Sequence, residues 1–261
     1  MRAQWPNASE ELVRSSAGHS TLRFAATFAT HYNPDSSIGS PVMTFALASA
    51  FRIVLRFALA IALVYPATPP AYGESNAPVV LVVGDSISAG YGLTKGTGWV
   101  DLLAARIDAE RLPWRVVNAS ITGDTTAGGR TRLPALLALH KPGVVIVELG
   151  GNDGLRGGNL KSTRDNLDAM IAAVRKAGAK PVVVGMRLPP NYGPAYTRDF
   201  GAIYGDVAKS NGATLVPFFF AGFAESDEYF QPDRIHPTAA AQSKLLDNVW
   251  PVLSPLLAKA R

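Results

Sequence analysis

No cysteine occurs anywhere in the 261 residues. That excludes a disulfide framework, a thiol nucleophile, iron–sulfur clusters and cysteine-based zinc sites. Histidine is scarce too: the chain has four, and only His140 and His236 lie beyond residue 73. Charged residues make up only 17%, and the net charge of +5 comes without a basic run. The clustered Lys and Arg of a nucleic-acid footprint are therefore missing, and no nucleic-acid partner is expected. The glycines have no collagen period, and 48% hydrophobic residues are too many for a disordered chain.

The first third differs from the rest. Residues 1–42 show no sustained period and are set apart as an N-terminal extension, with Met43 as an alternative start. Arg52 and Arg56 then precede the apolar run 57–65, and Pro66 opens a stretch of small and helix-breaking residues. Ala71 and Gly73 occupy positions −3 and −1 of a cut after Gly73. A basic region, a short apolar core and a small-residue site predict a signal peptide over 43–73. The expected location is periplasmic or secreted, in a bacterium. The alternative is a retained anchor over 45–65. The uninterrupted run is shorter than the ~20 residues of an ordinary span, and two arginines near the middle of 45–65 would be costly in lipid. No stable membrane span is expected in the mature form. Residues 74–261 then make one domain, expected to be a monomer, with twenty basic and seventeen acidic side chains, a net +3.

Within that domain, residues 79–83 form a short, wholly apolar, β-branched run ending at Gly84. Such a run reads as a strand buried on both faces. Residues 114–117, 144–149, 181–186 and 214–219 read the same way. Helical patterns lie between and after them, over 99–110, 126–140 (with Pro134 as a kink or a break), 160–178, 196–211 and 237–259. Alternation at this spacing predicts right-handed βαβ units. The fold class is α/β: a three-layer α/β/α sandwich around a central, mostly parallel five-stranded sheet.

Sites in such sheets form beyond the carboxyl ends of the strands. The segments there are Gly84-Asp85-Ser86-Ile87-Ser88, the stretch 118–125, Gly150-Gly151-Asn152-Asp153, Arg187-Leu188-Pro189-Pro190 and the final loop with Asp233 and His236. Asp233 and His236 have a turn-like i, i+3 spacing that can join a carboxylate to an imidazole, although most such pairs are surface turns. Ser86 is not a G-x-S-x-G nucleophile elbow, because position 88 is Ser; alone it could cap the next segment. Asn152 and Gly123 read equally well as turn residues. His140, at the end of a helix, is expected to serve last-turn carbonyls. Asp85 and Asp153 are expected to bind loop amides, and Asp124 to cap the helix after it.

Taken together, Gly84-Asp85-Ser86, Gly123, Gly150-Gly151-Asn152-Asp153 and the Asp233/His236 pair resemble the ordered blocks of the SGNH (GDSL) hydrolase family. The runs from Gly84, Asn118, Glu148 and Arg187 are most similar to its exported thioesterase I/lysophospholipase/arylesterase group, over essentially all of 79–255. One departure is Arg234, where that group commonly has Gly. The resemblance implies a flavodoxin-like SGNH hydrolase fold and a serine hydrolase of acyl esters and thioesters. It implies Ser86 as nucleophile, His236 as base and Asp233 as its orienting carboxylate. It also implies an oxyanion hole from the Ser86 and Gly123 amides and the Asn152 side chain. Neither cofactor nor metal is implied.

An acyl group needs an apolar trough, for which Ile121, Leu155, Leu188, Pro189 and Tyr192 are the expected lining. Most of the aromatic cluster Phe218, Phe219, Phe220, Phe223, Tyr229 and Phe230 is expected to be core. The glycine-rich stretch 150–158 is expected to move as a lid. The competing readings are a carbohydrate O-acetylesterase of the same fold, a phosphate- or flavin-binding module using the run 122–129, and a non-catalytic lipid binder. That run matches neither G-x-x-x-x-G-K-[ST] nor G-x-G-x-x-G. Asn118-Ala119-Ser120 fits a glycosylation sequon but is read as loop sequence at the site.

Overall fold

A computed structural model describes residues 77–258. The extension 1–42 and the leader 43–73 lie outside the described residues. Five strands form one sheet: β1 (Val79–Gly84), β2 (Arg115–Asn118), β3 (Val144–Glu148), β4 (Lys180–Val184) and β5 (Thr214–Val216). Their order is β2-β1-β3-β4-β5 and every neighbouring pair is parallel. The sheet expected to be mostly parallel is therefore wholly so. Helices α1 (Ser86–Ala89), α2 (Trp99–Ala109), α3 (Thr126–His140), α4 (Gly151–Leu155), α5 (Leu160–Lys176), α6 (Pro194–Asn211) and α7 (Gln242–Ala258) fill the connections. Helix α5 packs between α3 and α6, whereas α2 packs against α7.

The central strands carry the core. All residues of β1 and β3 are buried, which is why both read as unbroken apolar runs rather than alternating ones. Each buried Val or Leu side chain contributes about 1.5–3 kcal/mol relative to exposure. Trp99, Phe200, Phe219 and Phe223 are fully buried against this sheet.

Chain order reverses direction at β1. Winding goes from β1 out to β2, then back across β1 to β3, so the crevice opens where the β1 and β3 ends meet. Register pairs Gly84 with Glu148 at that end. The segments carrying Ser86 and Asn152 therefore leave the sheet side by side.

Boundaries depart from expectation where local chemistry intervenes. β5 stops at Val216 because Pro217 has no N–H for the ladder; beyond it only Phe219 N donates to Gly185 O, at 2.8 Å. Trp114 lies outside β2, and its indole donates to Leu257 O at 3.0 Å. Helix α6 begins two residues earlier than expected, at Pro194, a residue suited to the first helical turn. Residues 237–241 form a loop and a 3₁₀ turn before α7 begins, and Lys259 lies outside the described residues. Pro134 neither breaks nor splits α3, which runs through it.

Candidate active site

The short helices α1 and α4 went unanticipated because each is only a turn long and its sequence reads as loop. They set the site. In α1, Asp85 is the N-cap and its carboxylate accepts from Ile87 N at 3.0 Å. Ser86 is thereby the first helical residue, 7% exposed. Gly84 is required just before it. A Cβ there would lie 2.7 Å from the Ser88 side chain and 2.8 Å from Glu148 Oε2.

The final loop brings up the other two groups. Asp233 Oδ1 accepts from Ile235 N at 2.9 Å and His236 N at 3.0 Å, which closes a tight turn. Asp233 Oδ2 is then 2.7 Å from His236 Nδ1, and His236 Nε2 is 2.8 Å from Ser86 Oγ. A carboxylate on Nδ1 fixes the proton there, so Nε2 is free to accept from the serine hydroxyl. Burial pushes the Asp233 carboxyl up, but the His236 N–H, the imidazole and the Ile235 N–H outweigh it and hold it below its usual value. The Tyr91 ring lies 4.5 Å from the imidazole, centre to centre. Gln231 ties both loops together, donating to Tyr91 O at 2.9 Å and, through its backbone, to His236 O at 2.8 Å.

Arg234 sits in this turn with φ 57°, a left-handed conformation. Glycine adopts that conformation freely; for other residues it costs about 1–2 kcal/mol. The guanidinium of Arg234 pairs with Asp227, and the residue also lines the cavity onto which Ser86 and His236 open.

Asn152 belongs to α4, which starts after Gly150 at φ 114°. Its side-chain amide donates to Asp124 O at 2.9 Å and to Asp85 Oδ2 at 3.2 Å. Gly123 has φ 78°, and neither its N–H nor that of Ser86 has an acceptor among the described residues. Asp85, Ser86, Asn152 and His236 line one cavity of about 420 Å³; Gly123 lies outside that lining, one residue from the Asp124 carbonyl that fixes Asn152.

Leu155, Leu188 and Pro189 line the cavity as expected. Ile121 and Tyr192 do not. Ile121 points to solvent at 52% exposure, because its loop turns back to bond Gly84 O through Ile121 N. Tyr192 packs behind the wall and donates its hydroxyl to Leu155 O at 2.9 Å. Phe219, Phe220 and Phe223 are buried core, and Phe218, Tyr229 and Phe230 pack against it half-buried; Phe218, Phe220 and Phe230 also line the cavity. Met186 and Ile235 complete the apolar wall. Met186 follows β4 and Ile235 adjoins His236, so nearness to strand ends and to the base could have marked both.

The carboxylates outside the relay divide too. Asp153 binds Thr126 through its N–H at 2.9 Å and its hydroxyl at 2.5 Å, as expected of a loop organiser. Asp124 is not the cap of α3; Thr125 is, accepting from Gly128 N. Asp124 instead pairs with Arg132 at 2.8 Å. His140 is the last residue of α3. Burial raises the Asp85 carboxyl to about 6, against the opposing Ile87 hydrogen bond. Glu148 is fully buried, and burial and the neighbouring Asp85 push its carboxyl well above its usual range. Glu148 Oε2 accepts from Ser88 Oγ at 2.7 Å, whereas Oε1 has no partner among the described residues. The stretch 150–158, expected to be a lid, contains α4 and is fastened by Tyr192 on Leu155 O and Tyr196 on Gly158 O. A Cβ on Gly154 would lie 2.6 Å from Phe200.

Residues 82–244 match the GDSL-like lipase/acylhydrolase family. The chain belongs to that family. Esterase TesA of Pseudomonas aeruginosa is 53% identical over 184 residues, covering 70% of this chain and 92% of that protein. Thioesterase 1/protease 1/lysophospholipase L1 of Escherichia coli is 41% identical over 186 residues, 71% of this chain and 88% of that one. The crystal structure of the psychrotrophic esterase EstA from Pseudoalteromonas, inhibited by monoethylphosphonate, superposes with a TM-score of 0.66 at 36% identity. It covers 69% of this chain and 99% of its own. The SGNH-hydrolase family esterase AlinE4 superposes with a TM-score of 0.58 at 36% identity, over 70% of this chain and 96% of that one, so the fold of this acylhydrolase is the SGNH hydrolase fold, an all-parallel five-stranded sheet flanked by helices.

Proposed function

We propose that the protein hydrolyses carboxylic esters and thioesters of acyl chains through a covalent acyl-enzyme on Ser86. The observation that carries this is the unbroken series Asp233–His236–Ser86, at 2.7 and 2.8 Å, opening into a cavity walled largely by Leu, Pro, Met and Phe.

His236 takes the Ser86 proton as Oγ attacks the acyl carbonyl, and Asp233 stabilises the imidazolium that forms. The same imidazolium returns the proton to the leaving oxygen or sulfur. Water then attacks the acyl-enzyme, with His236 again as base. Negative charge develops on the carbonyl oxygen, and the Ser86 and Gly123 N–H groups have no other acceptor among the described residues. The Asn152 amide is oriented by Asp124 O; its longer contact, to Asp85, is the one an oxyanion replaces. The relatives named as esterase, thioesterase and lysophospholipase support this substrate class. The apolar wall favours it over a short polar acyl group such as acetate on a carbohydrate.

The test is an acyl-chain series of p-nitrophenyl esters and acyl thioesters, with Ser86→Ala alongside. The wild type turns over both classes and Ser86→Ala neither; full activity in Ser86→Ala overturns the reading.

We infer also that the chain is exported, by the leader over 43–73. Arg52 and Arg56, the apolar run 57–65 and the small residues before position 74 support it. N-terminal sequencing of the mature protein checks it: a start near residue 74 agrees, and a start near residue 1 contradicts.

A further inference from the structure

One arginine outside the relay holds the two segments that carry Ser86 and Gly123, and through Asp124 it adjoins the third donor, Asn152. Arg132 projects from α3, and its side chain is only 19% exposed. Its Nε donates to Asp124 Oδ2 at 2.8 Å. Its Nη1 donates to Ala119 O, and its Nη2 to Gly84 O at 3.3 Å. Gly84 is the last residue of β1, two before Ser86. Ala119 begins the loop that carries Gly123. Asp124 follows Gly123, and its carbonyl holds the Asn152 amide.

We propose that Arg132 is a positioning residue for the oxyanion hole, fixing the spacing of the Ser86, Gly123 and Asn152 donors with one guanidinium. The inference rests on the reading of those three groups as the oxyanion donors.

The geometry suits arginine alone. A guanidinium presents its N–H groups as a rigid planar fork, whereas an ammonium is a point charge with freely turning donors. Three acceptors, one at the strand end and two at opposite ends of the 119–125 loop, are a task for the fork. The arrangement is also built around the ion pair. A Cβ at Gly128 would lie 2.0 Å from Asp124 Oδ1, so glycine at that turn of α3 lets the carboxylate lie against the helix. Asp124 Oδ1 further accepts from Thr125 N at 2.9 Å, which leaves Oδ2 for Arg132. Within the loop, Ile121 N shares the Gly84 carbonyl with Arg132, at 3.0 Å. The strand end and the loop are thus pinned at the same oxygen.

A donor displaced by a fraction of an ångström weakens transition-state binding while leaving ground-state binding intact. The experiment compares wild type with Arg132→Lys, which keeps the charge opposite Asp124 but loses the fork. With a p-nitrophenyl ester, kcat falls about 10- to 100-fold, less than the ~10²–10³-fold loss of a whole donor, and KM stays unchanged. An alkyl trifluoromethyl ketone forms a tetrahedral oxyanion adduct with a reactive serine. Its affinity falls by the same factor as kcat, while an ether analogue with no carbonyl binds as before. Unchanged kcat overturns the proposal. So does a parallel loss in kcat, KM and both affinities, which would mean general loosening of the fold. Should Arg132→Lys fail to fold, Asp124→Asn is measured the same way, since it weakens the fork at its acceptor end. Ser86→Ala run in parallel separates the two levels: activity there sinks the serine reading itself, whereas a dead Ser86→Ala with a normal Arg132→Lys sinks only the role of Arg132.

Discussion

His236 Nε2 stands 2.8 Å from Ser86 Oγ, across 150 residues of chain. The two come from opposite ends of the domain, one from the first βα turn and one from the loop before the last helix. Only a completed sheet places them together, so the reactivity of Ser86 reports on the whole fold.

Loss of either group removes the nucleophile or its base. Ser86→Ala and His236→Ala are each expected to lower kcat by about 10⁴- to 10⁶-fold. Steady-state hydrolysis of p-nitrophenyl esters measures this, and an unchanged circular dichroism melt shows that the fold is kept.

Asp233→Asn tests the orientation of the imidazole. An amide at that position no longer enforces the proton on Nδ1, and kcat falls by about 10⁴-fold. Asn can still accept from Ile235 N and His236 N, so the turn itself survives. A variant retaining wild-type kcat would mean that the 2.7 Å contact does not serve catalysis.

Asn152→Ala deletes one oxyanion donor. The expected loss is about 10²–10³-fold in kcat, or ~2.7–4 kcal/mol, with KM little changed. Separate determination of kcat and KM distinguishes this from a binding defect, in which KM alone would rise.

The buried carboxyls give stability a definite pH dependence. Unfolded, Asp85 and Glu148 release their protons near pH ~4. Folded, both hold them to higher pH, Asp85 to about 6 and Glu148 well above its usual range. Their contribution is complete below pH ~4 and declines as pH rises through those folded values. Glu148→Gln keeps an acceptor for Ser88 and removes the titration. It is therefore expected to melt higher than wild type at pH 8 and about level at pH 5. Each kcal/mol recovered corresponds to about 2–4 °C in a domain of this size. Equal pH slopes in the two proteins would contradict the assignment.

Cavity length should set chain-length preference. Ala224 lines the cavity, and Ala224→Trp fills space there. The activity optimum in an ester series is expected to move to shorter acyl chains while the shortest ester is hydrolysed as before. An unmoved optimum would place the acyl chain elsewhere.

Much of this was legible in the sequence because strand ends announce themselves. The apolar runs of β1 and β3 stop at Gly84 and Glu148, and Ser86 and Asn152 follow directly. Asp233 and His236 have a spacing that can close within one turn, but such pairs are common, and it was the resemblance of all four ordered blocks that marked them. What was not legible depended on contacts distant in sequence. Ile121 and Leu188 are equally apolar loop residues, yet one faces water and the other the cavity. The difference arises from Ile121 N bonding Gly84 O. Asp124 looks like a cap beside a helix start, but Arg132, eight residues on, claims it. Of the phenylalanines near β5, some serve the core alone and some also line the cavity, because Pro217 ends the strand and the chain turns between them.

The central claim is that Ser86 is the group acylated. A p-nitrophenyl phosphonate ester transfers its phosphonyl group to an activated serine and releases one nitrophenolate. Peptide mass spectrometry after stoichiometric reaction tests the claim most directly. One nitrophenolate per chain, an adduct on the peptide carrying Ser86 and complete loss of esterase activity are the predicted result. An unmodified Ser86 peptide in the inactivated enzyme, or full activity in enzyme modified at Ser86, would contradict it.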